Sequence, residues 1–281
     1  AYTVHPYRWP TIGSLEHLNN ATLEEFIEFY KTFYVPENAT LSIAGDIDIK
    51  QAKVAIDKYF KDIKRGGKTI PRPTIVEPPQ TQEIRDIVYD NIQLPAVIQT
   101  YHMPAQGTPD SYALNMLSTV LSGGQSSRMY KSLVDEQKKA YVVQAFPFAS
   151  EDPGLYIVFG LANVGVSVDE LENGMDEEIK KVQNELVSEK EFQKVRNQIE
   201  SSYVQKNASM VGIAEQLADY HVYYGDASLI NTELDRFMKI TREDLQRVAN
   251  KYLTKENRVV LHYLPKSAQQ KPDDTQGKPN N

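Results

Sequence analysis

The chain has 281 residues, 41% of them hydrophobic and 25% charged, and its 38 Asp and Glu outnumber 31 Lys and Arg, giving a formal charge of −7. This acidic balance argues against a nucleic-acid-binding protein, which usually presents a basic face, and no apolar run approaches the ~18 residues of a membrane span. The chain has no cysteine, so disulfides, thiolate metal sites and Cys nucleophiles are excluded.

The two ends of the chain carry little information about the fold. The sequence begins at Ala1 with no initiator Met and without the basic and apolar regions of a signal peptide, so we expect it to be a piece of a longer protein. Residues 266–281 contain no apolar side chain after Ala268. This composition predicts a disordered tail.

Hydrophobic periodicity organises the first part of the chain. It predicts a helix at 23–34, a strand at 39–45 and a helix at 49–62. Two adjacent glycines and four prolines follow, which indicates a linker at 66–80. We therefore expect residues 1–65 to be the C-terminal end of a first, truncated α+β domain.

The second part, residues 81–265, is predicted to be a complete α+β domain. Its elements follow the order ββααββ, then a run of helices, then a last strand. Such grouping predicts a mostly antiparallel sheet with helices on one face. The predicted strands lie at 82–90, 95–103, 140–149, 155–162 and 257–264, and the predicted helices at 110–122 and 127–137, with long helices after Ser167 and Ser188.

An internal repeat connects the two parts. Segments beginning at Thr22 and Thr241 each have an acid three positions after the Thr, which is the capping box of a helix N-terminus. At an offset of 219 residues they align without a gap, and Glu37-Asn38 falls on Glu256-Asn257. The repeat predicts duplicated units of about 220 residues, one present only at its end and the other whole. Chance is the alternative, because helix–turn–strand elements are common.

The chain offers few candidates for chemistry. The segment from Gly13 to His17 is one substitution away from His-x-x-Glu-His, but Gly13 stands where the first imidazole would be. We expect His102 and His262 to be isolated residues on strand faces. The sequence therefore predicts no metal site and no catalytic residue. The five histidines are His5, His17, His102, His221 and His262.

Two blocks of residues resemble the insulinase/pitrilysin-type zinc metallopeptidases. The first runs from His5-Pro-Tyr-Arg-Trp-Pro-Thr-Ile-Gly13 to Ala44-Gly-Asp-Ile-Asp48. The second runs from Leu121-Ser-Gly-Gly-Gln-Ser-Ser-Arg-Met-Tyr130 to Tyr141. The likeness covers about residues 1–265, which is nearly everything but the tail.

The resemblance implies a zinc enzyme whose ligands lie outside this chain. In the family an inverted His-x-x-Glu-His motif and a later Glu hold zinc, and the Glu of the motif acts as general base on zinc-bound water. Each half of the enzyme has two similar α+β domains, and two halves close like a clamshell around a peptide. The ligands precede the block that contains His5, so the zinc would belong to the intact protein and not to this fragment.

The resemblance also implies residues that contact substrate. In the family an Arg and a Tyr seven residues apart help to hold a substrate carbonyl oxygen. Tyr141 matches that Tyr, but Val134 stands at the Arg position, and Lys138-Lys139 replace a Gly-Leu pair. Arg128 matches the Arg of the family's Ser-Arg helix, where packing within the helix pair is the alternative role. Tyr141 and Arg128 are thus the predicted substrate-binding residues.

We interpret the chain as a fragment of such a peptidase that forms chamber wall and contacts the other half. Its partners would be a peptide substrate and that other half, in the same chain or a partner subunit. By itself the fragment is predicted to be inactive. The alternatives are a non-catalytic partner or core subunit of the same architecture, or an unrelated peptide-binding α+β module. A bacterial periplasm or cell envelope and a cytoplasm are both compatible compartments.

Overall fold

The computed structural model describes residues 1–269, which divide into two compact units. Unit 1 contains Pro79–Asn197 and the chain from Arg236 onward, together with Ala1. Unit 2 contains Tyr2–Pro78 and Gln198–Asp235. Of the predicted tail, a short turn at Lys266–Ala268 is described, and residues 270–281 lie outside the described part of the chain.

Helices and strands follow one another along the chain in the order predicted for its second part. The helices are α1 (Leu15–Asn20), α2 (Leu23–Phe33), α3 (Ile49–Phe60), α4 (Pro109–Ser122), α5 (Val168–Asn184), α6 (Glu189–Lys206), α7 (Met210–Tyr224), α8 (Glu233–Met238) and α9 (Arg242–Tyr252). The strands are β1 (Ile84–Asp90), β2 (Ala96–His102), β3 (Ala140–Phe148), β4 (Leu155–Ala162) and β5 (Arg258–Pro265). No helix in residues 1–269 has both the length and the apolar character needed to cross a membrane.

Unit 1 is built on one five-stranded sheet in the order β1-β5-β2-β4-β3. Three neighbouring pairs are antiparallel, and β1 runs parallel to β5. The last strand of the chain therefore lies between the first two. The predicted α+β class, with a mostly antiparallel sheet, is confirmed.

Helices α4 and α5 pack on one face of this sheet, because alternate strand residues are apolar and point to that side, and α9 packs against both helices. Along β4, Tyr156 and Val158 are fully buried while their neighbours are partly exposed. Fully burying a side chain of this size contributes about 1.5–3 kcal/mol. The core also contains Val97, Leu114, Leu117, Leu121, Leu171, Met175, Leu245 and Val248.

The opposite face of the sheet carries a second apolar surface, which we call the open face. Strand pairing aligns its side chains in rows across the sheet, and most of them are partly exposed. The two central rows are Leu261, Ile98 and Phe159, and then Tyr263, Ala96 and Leu161.

Both edge strands of the sheet have backbone groups capped by a side chain. On β3, the Ala145 N–H donates to Ser122 Oγ at 2.8 Å, and the same hydroxyl donates to the Ala145 carbonyl oxygen at 2.9 Å. On β1, the Ile87 N–H donates to Asp86 Oδ1 at 2.8 Å. Such caps occupy groups that would otherwise be free to pair with another strand.

The segment before β3 departs from regular helix geometry. Within the predicted helix 127–137, Tyr130–Glu136 forms a π-helix. Lys138 follows in the left-handed conformation, with φ of 55°. This conformation costs a side chain with a Cβ roughly 1–2 kcal/mol, and the resembled family has Gly at this position.

In unit 2 the helices α2 and α3 form as predicted, but the predicted strand at 39–45 is wrong, because the segment forms neither strand nor helix. A strand needs a neighbour to satisfy its backbone groups, and no described strand pairs with this one. The predicted linker is anchored at Glu77, whose carboxylate accepts the N–H groups of Val4 and His5 at 3.0 and 2.8 Å.

Candidate functional site

Tyr141 lies at the start of the edge strand β3, where the register with β4 shifts between Ala140 and Val142. Such a bulge leaves one residue out of the ladder and re-aims its side chain. The Tyr141 residue is 63% exposed. Its phenol is therefore open to a ligand, as a substrate-contacting residue requires.

Arg128 is engaged within unit 1. Its Nε and Nη2 donate to the two carboxylate oxygens of Glu191 on α6, at 3.0 and 2.8 Å, and its side chain is 19% exposed. Hydrogen bonding to Glu191 raises the pKa of Arg128 despite partial burial, and the charges of Glu178 and Glu185 add to the effect. This bidentate pair joins the glycine-rich turn after α4 to α6.

The remaining position of the expected Arg/Tyr arrangement holds no donor. Val134 lies in the π-helix and is half-buried, and an aliphatic side chain cannot donate to a carbonyl oxygen. Arg128 and Tyr141 have different surroundings, one tied to α6 and the other exposed at a sheet edge. The described residues therefore offer a single exposed donor, Tyr141, from this motif.

An ion network that was not predicted from the sequence lies between α5 and the sheet. Arg258 of β5, which is almost fully buried, donates to Glu83 at 2.5 Å and to Asp176 at 2.7 Å. Arg85 of β1 donates through both Nη atoms to the carboxylate of Glu172, at 2.8 and 2.6 Å. These contacts join residues up to 175 positions apart, so no local pattern could have indicated them.

His262 belongs to this network. The prediction that it occupies a strand face is confirmed, but the prediction that it is isolated is wrong, because its Nε2 lies 2.6 Å from Glu172 Oε2. Burial raises the pKa of Glu172, yet hydrogen bonds from Arg85 and His262 outweigh it and lower the pKa below its usual range. Glu172 is therefore ionised and surrounded by positive or hydrogen-bonding partners.

The network also bears on metal binding. Among residues 1–269, Asp169, Glu172 and His262 have ligand-type atoms within 4.8 Å of one another. Zinc needs ligands with free lone pairs, but the Glu172 carboxylate already accepts two bonds from Arg85 and lies 3.3 Å from an Nη atom of Arg258. These fixed positive charges would lie beside any bound dication, so the group does not fit a zinc site.

Comparison with known proteins places these features in one family. Residues 20–199 match the family model described as the Peptidase M16 inactive domain. The zinc protease PqqE of Helicobacter pylori is 28% identical over 254 residues, covering 90% of this chain and 57% of that protein. An uncharacterized zinc protease of Rickettsia felis is 22% identical over 255 residues, covering 89% of this chain and 59% of its own. The chain thus spans a little over half the length of these relatives.

Solved structures agree in fold. The crystal structure of a protease from Helicobacter pylori superposes with a TM-score of 0.88 at 25% identity, covering 94% of this chain and 64% of that one. A peptidase M16 inactive domain from Pseudomonas fluorescens superposes with a TM-score of 0.82 at 18% identity, covering 96% of this chain and 63% of that one. At that identity, the second likeness shows the fold alone.

Proposed function

The chain belongs to the M16 peptidase family through its inactive domain, and from that premise we propose that it is the non-catalytic part of one half of a zinc metallopeptidase. Residues 1–65 would end a first domain, 66–80 would link, and 81–265 would form the second domain. In the intact protein this part walls the peptide chamber and contacts the other half. Membership in the family removes the alternative of a module without peptidase ancestry.

One observation carries the proposal: α2 and α9, the two helices paired by the predicted repeat, have opposite burial. Both contain 11 residues, both begin with a Thr capping box, and they lie 219 positions apart. In α9 the face formed by Leu245, Val248 and Ala249 is fully buried against unit 1. The face of α2 at the same offset is more than half exposed at every position and consists of Phe26, Phe29 and Tyr30.

An exposed aromatic face of this kind marks an interaction surface. Beside it lies a groove of about 900 Å³ that also includes Phe33, Leu41 and Phe60. In unit 1 the strand that follows α9 is paired on both sides, with β1 and β2. If the repeat holds, segment 39–45 corresponds to β5 and would be a central strand of a homologous sheet in the intact protein. That sheet would cover the exposed face of α2.

The zinc of the intact enzyme would be held in that homologous domain. The named relatives are zinc proteases, and the described residues closest to a metal-ligand arrangement do not fit zinc. Within this chain Tyr141 would contact the substrate peptide. Arg128 would instead hold the helical segment after α4 against α6 through its bond to Glu191. The remaining alternative is a non-catalytic partner or core subunit of the same architecture.

A peptidase assay tests the proposal. The chain alone, with added zinc, should not cleave a casein-derived fluorogenic peptide, and mixing it with a separately expressed zinc-bearing M16 domain should restore cleavage that chelation abolishes. Turnover by the chain alone that is lost on chelation would overturn the proposal. If the zinc-bearing domain binds the chain but gains no activity, the alternative is favoured, in which the chain comes from a non-catalytic partner or core subunit.

A pair of variants makes the assay specific to the α2 face. Phe29→Asp places a charge at the centre of the exposed face and should abolish association with the zinc-bearing domain. The matched control is Val164→Asp, which adds the same charge at an exposed residue of unit 1. Equal loss of association in both variants would contradict the assignment of the surface.

A further inference from the structure

A shallow groove lies on the open face of the unit 1 sheet, and the proposed function does not account for it. Its volume is about 430 Å³, within the roughly 300–1,000 Å³ of small-ligand sites. Gln93 and Tyr263 supply its polar side-chain groups, and no charged side chain lines it. The lining consists of Ile92, Gln93, Leu94, Ala96, Ile98, Phe159, Leu161 and Tyr263.

The sheet edges indicate how a ligand would be held there. An added peptide strand would need free backbone groups on an edge strand. At Ala145 of β3 both groups are bonded to Ser122, and on β1 the Ile87 N–H is bonded to Asp86. Recognition by side chains entering the open face is therefore favoured over strand addition.

A carboxylate on the same face adds a charge requirement. Asp86 is exposed, and strand pairing puts it in one row with Leu261 and Ile98, two strands from the groove floor. Two strand spacings are about 10 Å. A peptide in the polyproline II conformation has three residues per turn and a rise of about 3.1 Å per residue, so side chains three residues apart lie on the same side, about 9 Å from each other. A cation three residues from an apolar anchor could therefore reach Asp86.

We propose that the groove binds an aromatic or large aliphatic side chain of a peptide in the polyproline II conformation that carries a Lys or Arg about three residues away, paired with Asp86. The inference rests on the proposed function, in that a peptide enters the chamber, and it adds what that peptide must contain. The uncharged lining selects the apolar side chain, since burying a charge there without a partner is costly. Asp86 then selects the sign of the flanking residue.

The test uses fluorescein-labelled peptides with a Gly/Ser background and fluorescence anisotropy with the whole chain. One peptide contains Phe with Lys three residues on, a second replaces the Phe by Ser, and a third replaces the Lys by Glu. The first should bind most tightly. Leu161→Thr, which keeps a strand-forming residue, should weaken its binding roughly tenfold.

Asp86→Asn should reduce the preference for Lys over Glu by about threefold. The controls are Ile87→Thr, at an exposed apolar residue of β1 outside the groove, and Asp135→Asn, which removes an exposed charge elsewhere in unit 1. Both should bind like the unmodified chain. Circular dichroism of every variant checks that the fold is retained.

Three binding results would each overturn the inference. The peptides bind with no preference, or Leu161→Thr binds as well as the controls, or the unmodified chain binds none of them. A change of sedimentation in Leu161→Thr would instead identify a second copy as the occupant and would also overturn it. Restoration of zinc-dependent cleavage is measured separately, so the proposed function can stand when this inference fails.

Discussion

Asn38 and Asn257, which lie 219 positions apart, donate the same side-chain hydrogen bond: each Nδ2 donates to the carbonyl oxygen five residues earlier, at 3.0 Å to Phe33 and 2.8 Å to Tyr252. Each bond closes the C-terminal end of a helix that belongs to the repeat. The copies differ in one respect, because Asn257 also donates to the His102 carbonyl oxygen of β2 at 2.9 Å. The second copy thus ties its helix end to a sheet.

The first prediction concerns that tie. Asn257→Ala should lower the free energy of unfolding of unit 1 by about 1–3 kcal/mol, because it removes two partly buried hydrogen bonds, to the carbonyl oxygens of Tyr252 and His102. Urea unfolding followed by circular dichroism measures the loss. The control, Asn38→Ala, removes an exposed bond and should cost less than about 1 kcal/mol. Equal losses would mean that the bond to His102 contributes nothing.

The second prediction concerns the buried guanidinium of Arg258. Arg258→Met leaves Glu83 and Asp176 without their closest cation, and we expect a loss of about 3–5 kcal/mol in the free energy of unfolding. Lys131→Met is the control, since Lys131 is an exposed residue 3.9 Å from Glu136, and its effect should stay within about 0.5 kcal/mol. A loss in Arg258→Met as small as the control's would contradict the role of the network.

The third prediction is a pH dependence at Asp110. Partial burial raises the pKa of this carboxyl, but hydrogen bonds from Tyr252, Lys251 and Arg247 outweigh it and lower the pKa from 3.8 to about 2. Because the pKa of Asp110 is lower in the folded state than in the unfolded state, its ionised form stabilises the fold at pH values above about 4. This stabilisation is lost as the pH falls from about 4 to 2. This shift sets an upper limit of about 2 kcal/mol, which solvent screening of the exposed Arg247 and Lys251 reduces.

Asp110→Asn tests this. The difference in unfolding free energy between the unmodified chain and the variant should be constant from about pH 5 to 7 and should shrink below about pH 4. Asp152→Asn, an exposed site in the same unit, controls for the general effect of acid. A difference that grows toward low pH would have the wrong sign.

The fourth prediction concerns the strained residue before β3. Lys138→Gly should raise the free energy of unfolding by about 1 kcal/mol, because Gly adopts a positive φ without a Cβ clash. Little is lost, as the Lys138 side chain is 68% exposed and forms a loose pair with Asp135 at 3.9 Å. Lys139→Gly, one residue on, should instead destabilise by about 0.5–1 kcal/mol. Thermal unfolding of both variants measures these changes, and a loss of stability in Lys138→Gly as large as that in Lys139→Gly would contradict the prediction.

Local signals explain how much of this fold could be predicted. Capping boxes at Thr22, Ser167 and Thr241 depend on residues three apart, and all three helices begin where the motif indicates. Segment 39–45 has the pattern of a strand, but no strand among residues 1–269 pairs with it, and pattern alone cannot supply a neighbour. The hydroxyl of Ser122 caps a strand 23 residues away, which no short-range pattern reveals.

The candidate site was less predictable than the fold. Tyr141 could be located through a resemblance, and it remains a predicted substrate contact. Apart from the Arg85–Glu83 pair, two residues apart, the side-chain partners of Arg85, Arg258 and His262 in the network lie 82 to 177 residues away. Most of the ion network therefore follows from strand order, which the sequence did not reveal. The group of Asp169, Glu172 and His262 fits zinc poorly for the same reason, because the Glu172 carboxylate already accepts hydrogen bonds from Arg85.

The place of β5 has a consequence for synthesis of the protein. Ile84 of β1 pairs with Val259 of β5, and β1 touches no other strand of the sheet. During translation β1 must therefore wait for about 170 further residues before its neighbour exists, and such long-range pairings form slowly. Until then Ile84 and Val88 stay unpaired, a state in which chains aggregate. A chain truncated before Arg258 would lack the strand that joins β1 to β2, so its sheet could not form completely.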